Sequence, residues 1–159
     1  MRLHTVIDGK PVSLPAAGGF DLSADIVVAG MGTAGAMALL QAGREGFSVL
    51  GIEATSGMGG QGGMGCVWDY YYGRGGGLQE EVALACQARL SEGLYASSQR
   101  DGLREQSFPG PVKSAVLEEM ALSAGAKLLY GAAVTGVYRE GDQVTGLRVY
   151  QDGASLRVG

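Results

Sequence analysis

The sequence predicts an α/β fold in three layers, with a small β-meander towards its C-terminal side. Three observations carry this. A short apolar run, Ile26-Val27-Val28-Ala29, passes through Gly30-Met31-Gly32-Thr33-Ala34-Gly35 into a helix and on to a second β-rich run, Val49-Leu50-Gly51-Ile52, closed by Glu53. Glycines then crowd the stretch from Gly57 to Gly65. From Ala133 to Val158, runs rich in Val and Thr are separated by Gly141-Asp142 and Asp152-Gly153, the pattern of strands joined by tight turns.

The chain of 159 residues has room for about one domain. No apolar run approaches the roughly 18 residues of a membrane span. The opening stretch, MRLHTVIDGKPVSLP, has neither the apolar core of a signal peptide nor a twin arginine, so a cytoplasmic protein is expected. The net charge of −4 is scattered over both signs with no basic block, which argues against nucleic acid as a partner. His4, Cys66 and Cys86 give no metal-ligand set with the usual spacings, and both cysteines read as reduced, buried small hydrophobes.

Residues 1–24 read as a leader to a domain spanning 25–159. Within the leader, Thr5-Val6-Ile7, the Asp8-Gly9 turn and Val12-Ser13-Leu14 suggest a short hairpin that decorates an edge. The first core element is the Ile26–Ala29 run, read as a buried strand. The helix after it places Ala36, Leu39, Leu40 and Gly43 at helical spacing and is almost wholly apolar, so burial is expected all round. It should stop near Gly43 and Gly46.

After Glu53 come six glycines in nine residues, from Gly57 to Gly65, which cannot favour a helix. They suit a loop held close along a ligand, its N–H groups turned inward. Met58, Met64, Cys66, Val67 and Trp68 would be poor residues for a solvated tether. Trp68, Tyr70, Tyr71 and Tyr72 follow, with Asp69 and Arg74 as charged neighbours; they either line a pocket or pack locally. A helix is expected from Leu78 to Leu94, with Gly93 as its stop. A polar loop runs from Ala96 to Gly110, and a second helix starts near Pro111 with Val112, Ala115, Val116, Glu119, Met120 and Ser123 on one face. Gly125 ends it. A strand at Ala126–Tyr130 and the meander at 133–158 complete the order.

The segment Asp25–Glu53 is a strand–glycine turn–helix–strand unit with the spacing of a dinucleotide fingerprint, so the three-layer fold is Rossmann-like. Gly30 permits the tight turn, Gly32 lets backbone approach a pyrophosphate, and Gly35 lets the helix lie close to the strand. The helix N-terminus offers unpaired N–H groups and the positive end of its dipole to phosphates. Glu53, about 20 residues on, ends the second strand where a carboxylate accepts hydrogen bonds from ribose hydroxyls. A P-loop is excluded, because GMGTAGAM lacks the Lys-Ser/Thr pair.

With these residues laid out, the chain from Asp25 to about Val158 resembles the N-terminal part of FAD-dependent oxidoreductases of the glutathione-reductase-like superfamily. It is most similar to the group with a double glycine after the second strand. The resemblance implies FAD as cofactor. Gly30, Gly32 and Gly35, with Thr33 and Ala34 between them, would hold the pyrophosphate. Glu53, with Ala54 beside it, would hold the adenosine ribose. Gly59, Gly60, Gln61, Gly62 and Gly63 would run past the pyrophosphate towards the flavin, and Val134 would meet adenine through its backbone. It also implies that the chain is truncated. The family's next strand and its substrate domain do not follow Gly159, so further chain or a partner subunit is expected to complete the fold.

The leading reading is therefore the FAD-binding portion of a flavin-dependent oxidoreductase acting on an unidentified small molecule. No catalytic acid or base is assigned; Asp69, Tyr70, Tyr71, Tyr72 and Arg74 are the residues that would line a substrate side. Two alternatives stay open. Glu53 suits an NAD-dependent dehydrogenase segment equally well. A non-catalytic subunit that retains a dinucleotide-binding fold is the other.

Overall fold

The computed structural model describes residues 1–67, 76–91 and 108–159. Among the described residues, eight strands and three helices follow one another: β1 (Arg2–Ile7), β2 (Lys10–Pro15), β3 (Ile26–Ala29), α1 (Thr33–Arg44), β4 (Val49–Ile52), α2 (Leu78–Ser91), α3 (Gly110–Ser123), β5 (Lys127–Leu129), β6 (Ala133–Glu140), β7 (Gln143–Gln151) and β8 (Ala154–Val158). A single 3₁₀ turn, Gly60–Gly62, lies in the glycine-rich loop. The strands form two sheets among the described residues. One is parallel, in the order β3-β4-β5, and the other is antiparallel, in the order β2-β1-β6-β7-β8.

Strand β4 shows why the sheets stack. All its residues are buried, and successive side chains point to opposite faces. Val49 packs with Met31, Ala36, Leu39, Met58, Val82, Cys86, Leu117 and Ala121 on the helical side. Leu50 and Ile52 pack with Ala132, Val149 and Val158 on the other. The parallel sheet is therefore covered on both faces, as such sheets require: helices on one side, the antiparallel sheet on the other. Full burial of Val149 and Val158 contributes roughly 1.5–3 kcal/mol each. Gly51 makes room for the fingerprint turn and α1: a Cβ there would lie 2.4 Å from Met31 Sδ and 3.0 Å from Leu39 Cδ1.

The N-terminal hairpin does form, with Asp8 and Gly9 both at positive φ, the turn type that matches strand twist. It does more than decorate. β1 pairs along β6, from Arg2 opposite Arg139 to Thr5 opposite Gly136, so the expected three-stranded meander is part of a five-stranded sheet. The connector into β3 is tied to this sheet by Arg157. Its guanidinium donates to the carbonyls of Ala17 and Gly18, its N–H donates to Asp21 Oδ2 at 2.8 Å, and it lies 4.9 Å from the Tyr138 ring.

Four expectations are corrected. Strand β3 is half-buried rather than buried, because among the described residues only β4 pairs with it. Helix α1 buries Ala36, Leu39, Leu40 and Gly43 but exposes Ala34, Ala38 and Gln41, because the described residues pack on one side of it only. Helix α3 buries Gly110, Lys113, Ser114, Val116, Leu117 and Ala121, whereas Glu119 and Ser123 of the expected face are exposed; contact with the glycine-rich loop turns it. Cys66 is exposed at φ +56°, unlike buried Cys86. The aromatic run at 68–72, the expected helix stop at Gly93 and most of the polar loop lie outside the described residues.

Candidate functional site

The fingerprint turn is built as its glycines require. Strand β3 ends at Ala29, and Gly30 turns the chain at φ +94° while its N–H donates to Ile52 O at 2.7 Å. A Cβ on Gly35 would lie 1.9 Å from Gly30 O, so only glycine lets α1 start this close to the strand. Gly32 differs: a Cβ there meets nothing within 4 Å, so it borders open space.

Helix α1 begins with no side-chain cap and no acidic residue in its first turn. The N–H groups of Gly32, Thr33, Ala34 and Gly35 have no hydrogen-bond partner among the described residues. An α-helix leaves such donors at its N-terminus, and its dipole adds positive potential there.

The glycine-rich loop folds back onto this helix start. Gly59 N–H donates to Met31 O at 2.9 Å, and Thr33 Oγ1 donates to Gly59 O at 3.2 Å. A Cβ on Gly60 would lie 3.0 Å from Gly32 Cα and 3.2 Å from Thr33 N. Gly59 and Gly60 both take positive φ, at +93° and +54°. The amides of Gly60, Gln61 and Gly62 are also without partners among the described residues, which sets them beside the free amides of α1. Gly63 approaches Met58 O so closely that a Cβ would stand 2.0 Å away.

Helix α3 supports the loop from its other side. Virtual Cβ positions on Gly57, Gly59 and Gly62 fall 2.6 Å from Ser114 Oγ, 3.1 Å from Leu117 Cδ1 and 3.2 Å from Lys113 Nζ. Gly110 presses onto the loop backbone, where a Cβ would be 2.0 Å from Gly63 O. The sequence reading missed Gly110; its signal was the Pro109-Gly110-Pro111 triplet at a helix start.

Glu53 is half-buried and heavily engaged. Its Oε2 accepts the Met31 N–H at 2.8 Å, and its Oε1 accepts the Thr55 N–H at 3.0 Å and the Thr55 hydroxyl at 2.9 Å. A carboxylate has about four acceptor positions, so about one is left in this arrangement. Met31 and Thr55 were not foreseen as its partners, and nothing in their side-chain chemistry marked a backbone donor. The turn after β5 reaches the same place: Ala132 N–H donates to Glu53 O at 3.0 Å and Gly131 N–H to Thr55 O at 3.2 Å. Exposed Val134 follows two residues later, so chain connectivity keeps it near Glu53. Ala54 is exposed beside Glu53. Nearby, the Tyr130 hydroxyl donates to Glu118 Oε2 at 3.0 Å; burial, then Glu118, push its pKa above the usual tyrosine range.

These elements bring Gly30, Gly32, Thr33, Ala34, Gly35, Gly59, Gly60, Gln61, Gly62 and Gly63 to one place, with Glu53 at its margin. Free backbone donors, an uncapped helix N-terminus and a glycine with open space before it fit the pyrophosphate of a dinucleotide, and a carboxylate nearby fits a ribose.

Known proteins give the same answer for the fold. The family model described as FAD dependent oxidoreductase matches residues 25–158. Among solved structures, the chain is similar to a 3-ketosteroid-Δ4-(5α)-dehydrogenase from Rhodococcus jostii RHA1 (20% identity, TM-score 0.61), covering 88% of this chain and 44% of that one. It is similar to a geranylgeranyl bacteriochlorophyll reductase-like protein from Thermoplasma acidophilum (18% identity, TM-score 0.55), covering 86% of this chain and 37% of that one. It is also similar to an anhydrotetracycline hydroxylase from Streptomyces rimosus (22% identity, TM-score 0.53), covering 86% of this chain and 30% of that one. The chain thus spans less than half the length of each of these structures. No curated protein matches it. On the family match, which takes in the fingerprint, the glycine-rich loop and most of both sheets, the chain belongs to the FAD-dependent oxidoreductases.

Proposed function

We propose that residues 25–158 hold FAD, and that the protein they belong to passes a hydride or electron pair between FAD and a small organic substrate. The observation that carries this is the set of amides at the start of α1 that have no partner among the described residues, with the Gly60–Gly62 amides beside it and Glu53 at its edge. Bound there, FAD would supply the redox chemistry, and the chain would supply binding, orientation and electrostatics. Gly32, Thr33, Ala34 and Gly35 would donate to the pyrophosphate, with Gly60, Gln61, Gly62 and Gly63 lining its way towards the flavin. Glu53 would accept from the adenosine ribose, flanked by Ala54, and the backbone at Val134 would meet adenine. A carboxylate at the ribose also disfavours a 2′-phosphate by repulsion.

The share of each solved relative that this chain covers, at most 44% of the three, supports a substrate site completed by further polypeptide, in the same chain or a partner. The two free thiols, Cys66 and Cys86, suit a reducing compartment such as the cytoplasm. The deciding experiment is an absorption spectrum of the purified protein with a parallel FAD titration. Flavin bands and saturable FAD binding are expected. A colourless protein that binds NAD instead would replace this reading with a nicotinamide dehydrogenase. One that binds neither would leave an interaction module.

A further inference from the structure

Thr55 stands outside the fingerprint, yet it makes more hydrogen bonds to the Glu53 carboxylate than any other described residue. Its N–H and its hydroxyl both donate to Glu53 Oε1, at 3.0 and 2.9 Å. The same hydroxyl lies 3.2 Å from Gly57 O, at the entrance of the glycine-rich loop. A hydroxyl has one proton to donate, so it serves Glu53 or Gly57, not both at once. The other carboxylate oxygen, Oε2, accepts the Met31 N–H at 2.8 Å and keeps one acceptor position open.

We propose that Thr55 is a positioning residue for the adenosine ribose. Its N–H and hydroxyl fill Oε1 and hold the half-buried Glu53 carboxylate in one orientation, with or without ligand. A ribose hydroxyl then donates to the open position on Oε2, while Thr55 keeps its bonds to Oε1. Through Thr55 the carboxylate is also placed beside Gly57, at the start of the loop that carries Gly59 and Gly60. This rests on the FAD reading above.

The experiment is a double-mutant cycle on the purified protein, with FAD as the titrant and thermal unfolding as a second readout. Thr55→Val keeps the shape and the N–H but removes the hydroxyl. It should weaken FAD binding about tenfold, the size of a lost hydrogen bond to a charged group. Thr55→Ser should restore binding to near the parent's. In a Glu53→Gln background, Thr55→Val should change FAD affinity less than about twofold, because its effect runs through the carboxylate. Equal affinity of Thr55→Val and parent, or full additivity with Glu53→Gln, would overturn the role of Thr55 while leaving FAD binding established. A parent that does not bind FAD would instead overturn the functional reading, and the ribose role with it.

Discussion

Glu53 closes β4, and its carboxylate accepts the N–H of Met31 at 2.8 Å. The acid that would receive the ribose thus also fastens the glycine turn that would receive the pyrophosphate. Glu53→Gln is therefore expected to act before any ligand is added. An amide presents an acceptor at one end only, so its NH₂ must face either the Met31 or the Thr55 donor. Losing one charge-assisted bond and gaining that conflict should cost roughly 1.5–3 kcal/mol. Thermal unfolding without FAD measures it; an unchanged midpoint would show that the Glu53–Met31 bond is not formed in solution.

Gly32 and Gly35 are expected to fail in opposite ways. A Cβ on Gly32 meets no protein atom within 4 Å. Gly32→Val should leave the unfolding midpoint close to the parent's and lower FAD affinity at least tenfold, about 1.4 kcal/mol.

Gly35→Ala, by contrast, sets a methyl 1.9 Å from Gly30 O. Backbone must move, and overpacking of this kind costs about 1–3 kcal/mol. At about 2–4 °C per kcal/mol for a chain of this size, calorimetry should show a clear drop in midpoint. Equal midpoints for Gly35→Ala and parent would mean the helix starts further from the strand than described.

Acid should loosen the entry to β3. The Asp25 carboxylate accepts the Ser48 hydroxyl at 2.7 Å and the Ser48 N–H at 2.9 Å, and these bonds hold its pKa below the ordinary 3.8. A lowered folded pKa means the stabilisation is present at neutral pH and disappears as pH falls from about 3.8 through the lower folded value. Asp25→Asn should remove that part of the acid dependence from midpoints measured across the range. A variant with the parent's full pH profile would exclude the contribution.

Thiol reactivity should separate the cysteines. Burial pushes the Cys86 thiol up to about 11, so almost no thiolate forms near neutral pH. Cys66 is exposed. Iodoacetamide at pH 8 followed by peptide mass spectrometry should find Cys66 modified and Cys86 intact until the protein unfolds. Simultaneous labelling would place Cys86 outside the core.

What the sequence made legible followed local rules. The fingerprint turn, the β4 strand and the Asp8-Gly9 and Asp152-Gly153 turns depend on residues within a few positions of one another, and each formed as read. What it hid depends on partners far along the chain. Nothing between Arg2 and Ile7 says that β6 will be their neighbour. The buried face of α3 is set by a loop some fifty residues earlier. Glu53 was legible as an acid in the right place, but its three donors are two backbone amides and a hydroxyl, and backbone amides carry no residue-type signature.

The pairing of β1 with β6 also bears on synthesis. Leu3 finds its ladder partner Tyr138 only after nearly the whole described chain has been made. At about 5–20 residues per second, the β1–β2 hairpin waits roughly 6–25 s for β6 to emerge. A lone hairpin is at best marginally stable in water. The nascent chain therefore carries an unsatisfied β1 edge throughout that interval, while β3, α1 and β4 have already been made. Of the two described sheets the antiparallel one closes later, because β6 is made after β3, α1, β4 and β5.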